Sequence, residues 1–235
     1  MFKVEDLFAV GLHYGHRLRK SSTKMKPYIY DVKWGLCVID LCKTSILFQK
    51  ALEKLDEVVR KKGKILFVGT KLQASEMVQK AAIDCNQFYI NQRWLGGSLT
   101  NYNATLGYGL STLKKMEENQ EAGLIDKLSK KEQSEFFKKK EKLLKFVSGV
   151  KNLGELPDLL IVVDPKKECI AVSEANKVKI PIIALADTDC NDPYILDYIV
   201  PGNDEGTAAV AFFLDQCVHV IQEAQKSIKN EVGNE

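Results

Sequence analysis

Leu159-Leu160-Ile161-Val162-Val163 and Pro181-Ile182-Ile183-Ala184-Leu185-Ala186 each hold no polar side chain. A strand with one face in water alternates apolar and polar residues, so unbroken runs of this kind predict strands covered on both faces, as in a parallel sheet. Shorter runs at Leu36 to Ile39, Lys64 to Val68, Phe88 to Ile90 and Tyr198 to Val200 predict further strands. Between them the period changes. Ile46, Leu47, Ala51, Leu52, Leu55, Val58 and Val59 recur at helical spacing, and Gly63 is a natural stop. Helices are also expected from about Gln73 to Cys85, Glu168 to Lys177 and Gly206 to Ile228. Strand and helix in turn predict an α/β chain: a three-layer parallel sheet with flanking helices, flavodoxin-like.

A region of different character lies between the third and fourth predicted strands. Leu106, Leu110, Leu113 and Met116 give a helix from about Asn101 to Asn119 one apolar stripe, and Phe136, Phe137, Leu143, Leu144 and Val147 give a second helix, about Lys130 to Val147, a less regular one. Ser129 and Glu132 have capping-box spacing at the start of the second. These stripes are too narrow for an independent core, which predicts an inserted antiparallel helical hairpin of coiled-coil type. The expected division is a basic N-terminal segment at 1–35, the first part of the α/β domain at 36–100, the hairpin at 101–150 and the second part of the domain at 151–235. The N-terminal segment reads as a short helix from about Val4 followed by a wrapping loop.

Composition narrows the function classes. The chain has 235 residues, 45% of them hydrophobic, enough for a sizeable core. No apolar run approaches the roughly 18 residues that span a bilayer, and Met1 to Lys26 does not read as a signal peptide. Six cysteines are scattered without a CxxC pair, which favours a reducing compartment. The formal net charge of +3 conceals an asymmetry: residues 1–156 carry +11 and residues 157–235 carry −8. The basic part suits a polyanion such as nucleic acid, and the acidic part suits solvent or a basic protein neighbour.

The segment from Gly63 to Lys71 resembles a phosphate-binding loop, but Thr70 precedes Lys71 and the residues between the glycines form a strand, so the backbone cradle is missing. His13 and His16 have no cysteine pair nearby to complete a zinc site, and hydrogen bonding to backbone or RNA phosphate suits them better. Asp40, Asp164, Asp187 and Asp189 fall at the C-terminal ends of predicted strands, where open α/β folds bind ligands. They raise a second reading, an enzyme acting on a sugar nucleotide or other small ligand, yet no catalytic motif accompanies them and acidic residues there are commonly helix caps.

The segment Arg93-Trp94-Leu95-Gly96-Gly97-Ser98-Leu99-Thr100-Asn101 offers a guanidinium, an indole, two glycines and short polar groups, a set suited to a phosphate backbone and to stacking on ribose or base. The alternative is a turn in which Trp94 plugs the hydrophobic gap at the root of the hairpin, and the two roles can coexist. Arg17, Arg19, Lys20, Lys24 and Lys26 form a second basic footprint beside His13 and His16.

These residues also carry a resemblance. Gly11-Leu12-His13-Tyr14-Gly15-His16, Met25-Lys26-Pro27-Tyr28-Ile29, Gly63 to Thr70, Arg93-Trp94-Leu95-Gly96-Gly97 with Leu99-Thr100-Asn101, Leu156-Pro157-Asp158 and Ile199-Val200-Pro201-Gly202-Asn203-Asp204 are similar, in order, to the signatures of the small-subunit ribosomal protein 2 family, bacterial or organellar type. The resemblance covers nearly all the chain. It implies a non-enzymatic constituent of the small ribosomal subunit that binds ribosomal RNA between head and body. Neighbouring small-subunit proteins would be its partners, with ribosomal protein 1 attached through it in bacteria. Carried onto this chain, the RNA-facing residues would be those of the N-terminal segment and hairpin, with Arg93, Trp94 and Asn101 at the hairpin root. No cofactor, metal, membrane or obligate homo-oligomer is expected, and the location would be the ribosome of a bacterium or an organelle.

Overall fold

A computed structural model describes residues 2–125 and 129–232. Five strands form a parallel sheet: β4 (Ile65–Val68), β5 (Phe88–Ile90), β6 (Leu159–Val163), β7 (Ile182–Ala186) and β8 (Tyr198–Pro201), in spatial order β5-β4-β6-β7-β8. The parity of the strands explains the unbroken apolar runs. Leu159, Ile161 and Val163 face one core, with Ile65, Phe67, Ile183 and Leu185 beside them, while Leu160 and Val162 face a second core with Leu66, Val68, Ile182 and Ala184.

The first core is closed by α2 (Leu41–Arg60), α3 (Leu72–Asp84) and α7 (Thr207–Val232), through Phe48, Leu55, Val78, Phe213 and Ile221. The second is closed by α6 (Cys169–Val178) and by the root of the helical hairpin, α4 (Leu106–Glu121) and α5 (Lys130–Val147). Pairing of Lys140 with Gln120 and of Lys151 with Glu117 shows that the hairpin helices run antiparallel. Ser129 and Glu132 complete the capping box at the start of α5. The hairpin is tied into the fold at its base: Leu106, Leu113, Val147 and Val150 are buried in one core with Leu66 and Leu160 of the sheet.

The N-terminal segment departs from expectation. After α1 (Val4–Ala9), the region expected to be a loop forms β1 (Tyr14–Arg17) and β2 (Ile29–Lys33). Both pair with β3 (Leu36–Ile39) in a separate antiparallel sheet of order β1-β3-β2. The expectation that β3 belongs to the parallel sheet is corrected: it does not join it. The reason is local. Lys33 pairs with Leu36 across the two-residue turn Trp34-Gly35, a connection that returns a strand on its predecessor, whereas parallel pairing needs a long crossover.

A candidate nucleic-acid interface

The antiparallel sheet is moored to the loop after β7. A Cβ on Gly15 would stand 2.7 Å from Thr188 Cγ2 and 2.9 Å from the Cys37 carbonyl, so only glycine permits the approach. The His16 amide donates to Thr188 Oγ1 at 2.9 Å, the Ser22 amide to the Thr188 carbonyl at 2.8 Å, and the Asn203 amide to the Leu12 carbonyl at 3.2 Å. The His16 imidazole completes the mooring. Its Nδ1 lies 2.7 Å from Asp187 Oδ2 and its Nε2 3.3 Å from Glu205 Oε1. The hydrogen bond to Asp187 raises its pKa to about 9 against the opposing effect of burial, with the charges of Asp187, Asp189 and Glu205 adding to the rise. Because the folded value lies above the ordinary 6.5, this contribution to stability is fully present below pH 6.5 and is lost as pH climbs through about 9.

Both histidines, expected as RNA contacts, are engaged within the protein. His16 spends both ring nitrogens on carboxylates. His13 is buried, with its ring centroid 4.2 Å from that of Phe8 and 4.0 Å from that of Tyr14, and burial lowers its pKa, so it packs as a neutral ring.

The cations divide by whether the protein already pairs them. Arg17, Arg19, Lys20 and Lys26 are exposed, and among the described residues none makes an ion pair within 4.0 Å. Lys24 is different: its Nζ lies 2.8 Å from Asp192 Oδ2. Arg93 is exposed and unpaired in the same sense, whereas Trp94 beside it is buried. On α5, Lys145 pairs with Glu141 and Lys140 reaches Gln120, leaving Lys130, Lys131, Lys138, Lys139 and Lys142 as outward cations.

The loop bearing Arg93 is shaped by a residue that sequence reading passes over. Glu174 of α6 is buried, and its carboxylate accepts the Gly97 amide at 2.6 Å, the Leu99 amide at 2.9 Å, the Trp94 indole N–H at 3.3 Å and the Thr100 amide at 3.4 Å. Burial alone would push its pKa up, but these donors together outweigh burial and hold the carboxylate below its ordinary range. Asn101 closes the loop through its backbone, its amide donating to the Gly97 carbonyl at 2.8 Å, and leaves its side chain exposed. No local pattern could have revealed Glu174, which reads as one more acidic residue in an amphipathic helix.

A second residue passed over is Trp34, 98% exposed at the β2–β3 turn. Its φ is +49° and that of Gly35 is +77°, the paired positive values of the mirror-image turn that favours Asn-Gly. For a bulky L-residue this conformation costs roughly 1–2 kcal/mol. The signal was legible: two β-prone runs separated by X-Gly.

The crevice at the C-terminal strand ends is lined by charges that satisfy one another. Lys71 Nζ lies 2.7 Å from Asp204 and 3.2 Å from Asp164, Thr70 donates to Glu168, and Lys166 meets Asp189 at 2.9 Å. Burial, then the charge of Asp164, pushes Asp204 up to about 7 despite Lys71. Asp40 caps α2 by accepting the amides of Cys42 and Lys43. These are internal ties of the fold, and no convergent catalytic set stands open among the described residues.

Comparison with known proteins gives a consistent picture. A sequence model of the family described as "Ribosomal protein S2" matches residues 7–224. The chain is 43% identical over 229 residues to "Small ribosomal subunit protein uS2" of Baumannia cicadellinicola, covering 97% of this chain and 98% of that protein. It is 43% identical over 222 residues to the protein of the same name from Idiomarina loihiensis, covering 94% and 91% of the two chains.

Proposed function

We propose that this chain, which belongs to the ribosomal protein S2 family, is a structural constituent of the small ribosomal subunit that binds ribosomal RNA. The family is structural and non-catalytic, so the crevice charges hold the fold together instead of transforming a substrate. The observation that carries the reading is the set of exposed cations, Arg17, Arg19, Lys20, Lys26 and Arg93, for which no ion pair is found among the described residues. Phosphate contacts supply most of the affinity in such interfaces, and cations without an internal partner are the ones free to make them.

The finer placement is at the junction of head and body. It is supported by basic groups on two separate elements, the N-terminal sheet and α5, which suit contact with more than one RNA surface. Partnership with protein neighbours of the small subunit, ribosomal protein 1 among them in bacteria, follows from the family membership. The parallel sheet is assigned to the flavodoxin-like class on its strand order, which is 2-1-3-4-5 when its own strands are numbered along the chain. The working location is a ribosome, bacterial or organellar. Among the described residues no helix is long and apolar enough to cross a membrane.

The test is a salt series with a small-subunit ribosomal RNA fragment. Replacing Arg17, Arg19 and Lys20 together by glutamine lowers affinity and flattens the dependence of log K on log salt, by about 0.7–0.9 for each phosphate that the variant no longer neutralises. An unchanged slope with an intact fold removes the N-terminal sheet from the interface.

A further inference from the structure

We propose that the β2–β3 turn is a nucleobase-binding site, in which an unpaired RNA base stacks on the Trp34 indole while its flanking phosphates meet Arg17 and Arg19. This rests on the RNA-binding reading above and narrows it to one turn and one kind of ligand. The first observation is a conflict between the residue and its position. The turn requires a positive φ where Trp34 stands, a conformation that Asn, Asp or Gly takes readily and an indole does not. The fold recovers nothing for this: the ring is 98% exposed and stacks on no other ring among the described residues.

The second observation is what surrounds the ring. The Leu18 amide donates to the Gly35 carbonyl at 3.0 Å, which lays the Arg17-Leu18-Arg19 segment alongside the turn. Together Arg17, Leu18, Arg19, Trp34, Gly35 and Leu36 line an open depression of about 480 Å³, in the size range of small-ligand sites. Leu18 and Leu36 expose apolar surface there, and the two guanidinium groups have no carboxylate within 4.0 Å among the described residues. Asp31, the one carboxylate within the three strands, is two residues back from the turn's last strand position.

That combination favours RNA over a protein partner. A flat apolar face flanked by two unpaired guanidinium forks matches a base with a phosphate on either side. An apolar protein anchor would bury the leucines and the indole but leave both charges without a partner. The base must be unpaired, because a duplex keeps its base faces inside the stack.

The chain's two tryptophans allow a direct test on the full-length protein. In a Trp94→Phe variant, Trp34 is the sole indole reporter. A ten-nucleotide oligoadenylate quenches its emission, while a duplex RNA of equal length and heparin, a polyanion without bases, bind without quenching it. In the otherwise native chain, Trp34→Ala weakens oligoadenylate binding about tenfold with the salt slope unchanged, and Trp34→Phe restores most of the affinity. Oligoadenylate binding that leaves the emission unchanged, or equal affinity of Trp34→Ala and the native chain, overturns the inference. The RNA-binding reading survives that result, because it is judged by the salt slope on the ribosomal RNA fragment. Ultraviolet irradiation of assembled small subunits should join Trp34 to RNA. A cross-link from Trp34 to a neighbouring protein instead would also overturn the proposal.

Discussion

The two tryptophan-bearing turns of this molecule use the same side chain in opposite ways. In the 93–101 loop the indole is turned inward, joins the second core and gives its N–H to Glu174. At the β2–β3 turn the indole stands in solvent and the backbone bears the strain of holding it there. What separates them is a polar anchor far away in sequence. Glu174 lies 80 residues beyond Trp94 and gathers four donors from its loop, whereas the Trp34 turn is closed by strand pairing and needs no side chain to hold it.

The contrast can be broken most forcefully at Trp94. Trp94→Ala is expected to cost about 3–5 kcal/mol in urea unfolding, as removal of an enclosed aromatic does, while Trp34→Ala stays within about 0.5 kcal/mol of the native chain. Equal effects of the two changes would erase the distinction.

Glu174→Ala comes next, at about 1–3 kcal/mol, because it strands buried amide donors at Gly97 and Leu99. Its pH signature sharpens the point. A carboxylate held below its ordinary 4.5 stabilises the fold above that pH and ceases to do so as pH falls through its lower folded value. The stability gap between the native chain and Glu174→Gln should therefore narrow below pH 4.5, and a constant gap would mean that the carboxylate's charge contributes nothing. The smallest effect is a gain: Trp34→Asn relieves the left-handed strain and raises the urea midpoint, by up to about 1 kcal/mol in stability.

Much of the fold was legible because its signals are local. Period and length located β4 to β8 and every major helix, and the alternation of Leu159 to Val163 between two cores follows from strand geometry alone. The N-terminal sheet was not legible in the same way. Gly15 and the basic residues after it resemble a loop, and β1 becomes a strand by pairing with β3 and by resting on Thr188, interactions that no window of sequence contains. The candidate site divided along the same line. Exposure of Arg17, Arg19, Lys20 and Lys26 agrees with their composition, but the pairing of Lys24 with Asp192 and of His16 with Asp187 depends on which distant carboxylates the fold delivers. Of the two tryptophans, Trp34 carries the more local signal, its Trp-Gly turn, whereas the burial of Trp94 depends on Glu174 80 residues away.

The mooring of the first strand on Thr188 also orders events in time. Residues of β1 leave the synthesising ribosome first, yet His16 bonds to partners 171 and 172 positions later in the chain. At roughly 5–20 residues per second, those partners follow by about ten to thirty seconds. Through that interval the basic segment is a tether without its docking edge, and pairings of such long range are slow to close even once both ends exist. A chain truncated between residues 26 and 187 thus carries the cations of the N-terminal segment but lacks the loop that seats their sheet, which makes synthesis past Thr188 the condition for presenting that basic surface in its final shape.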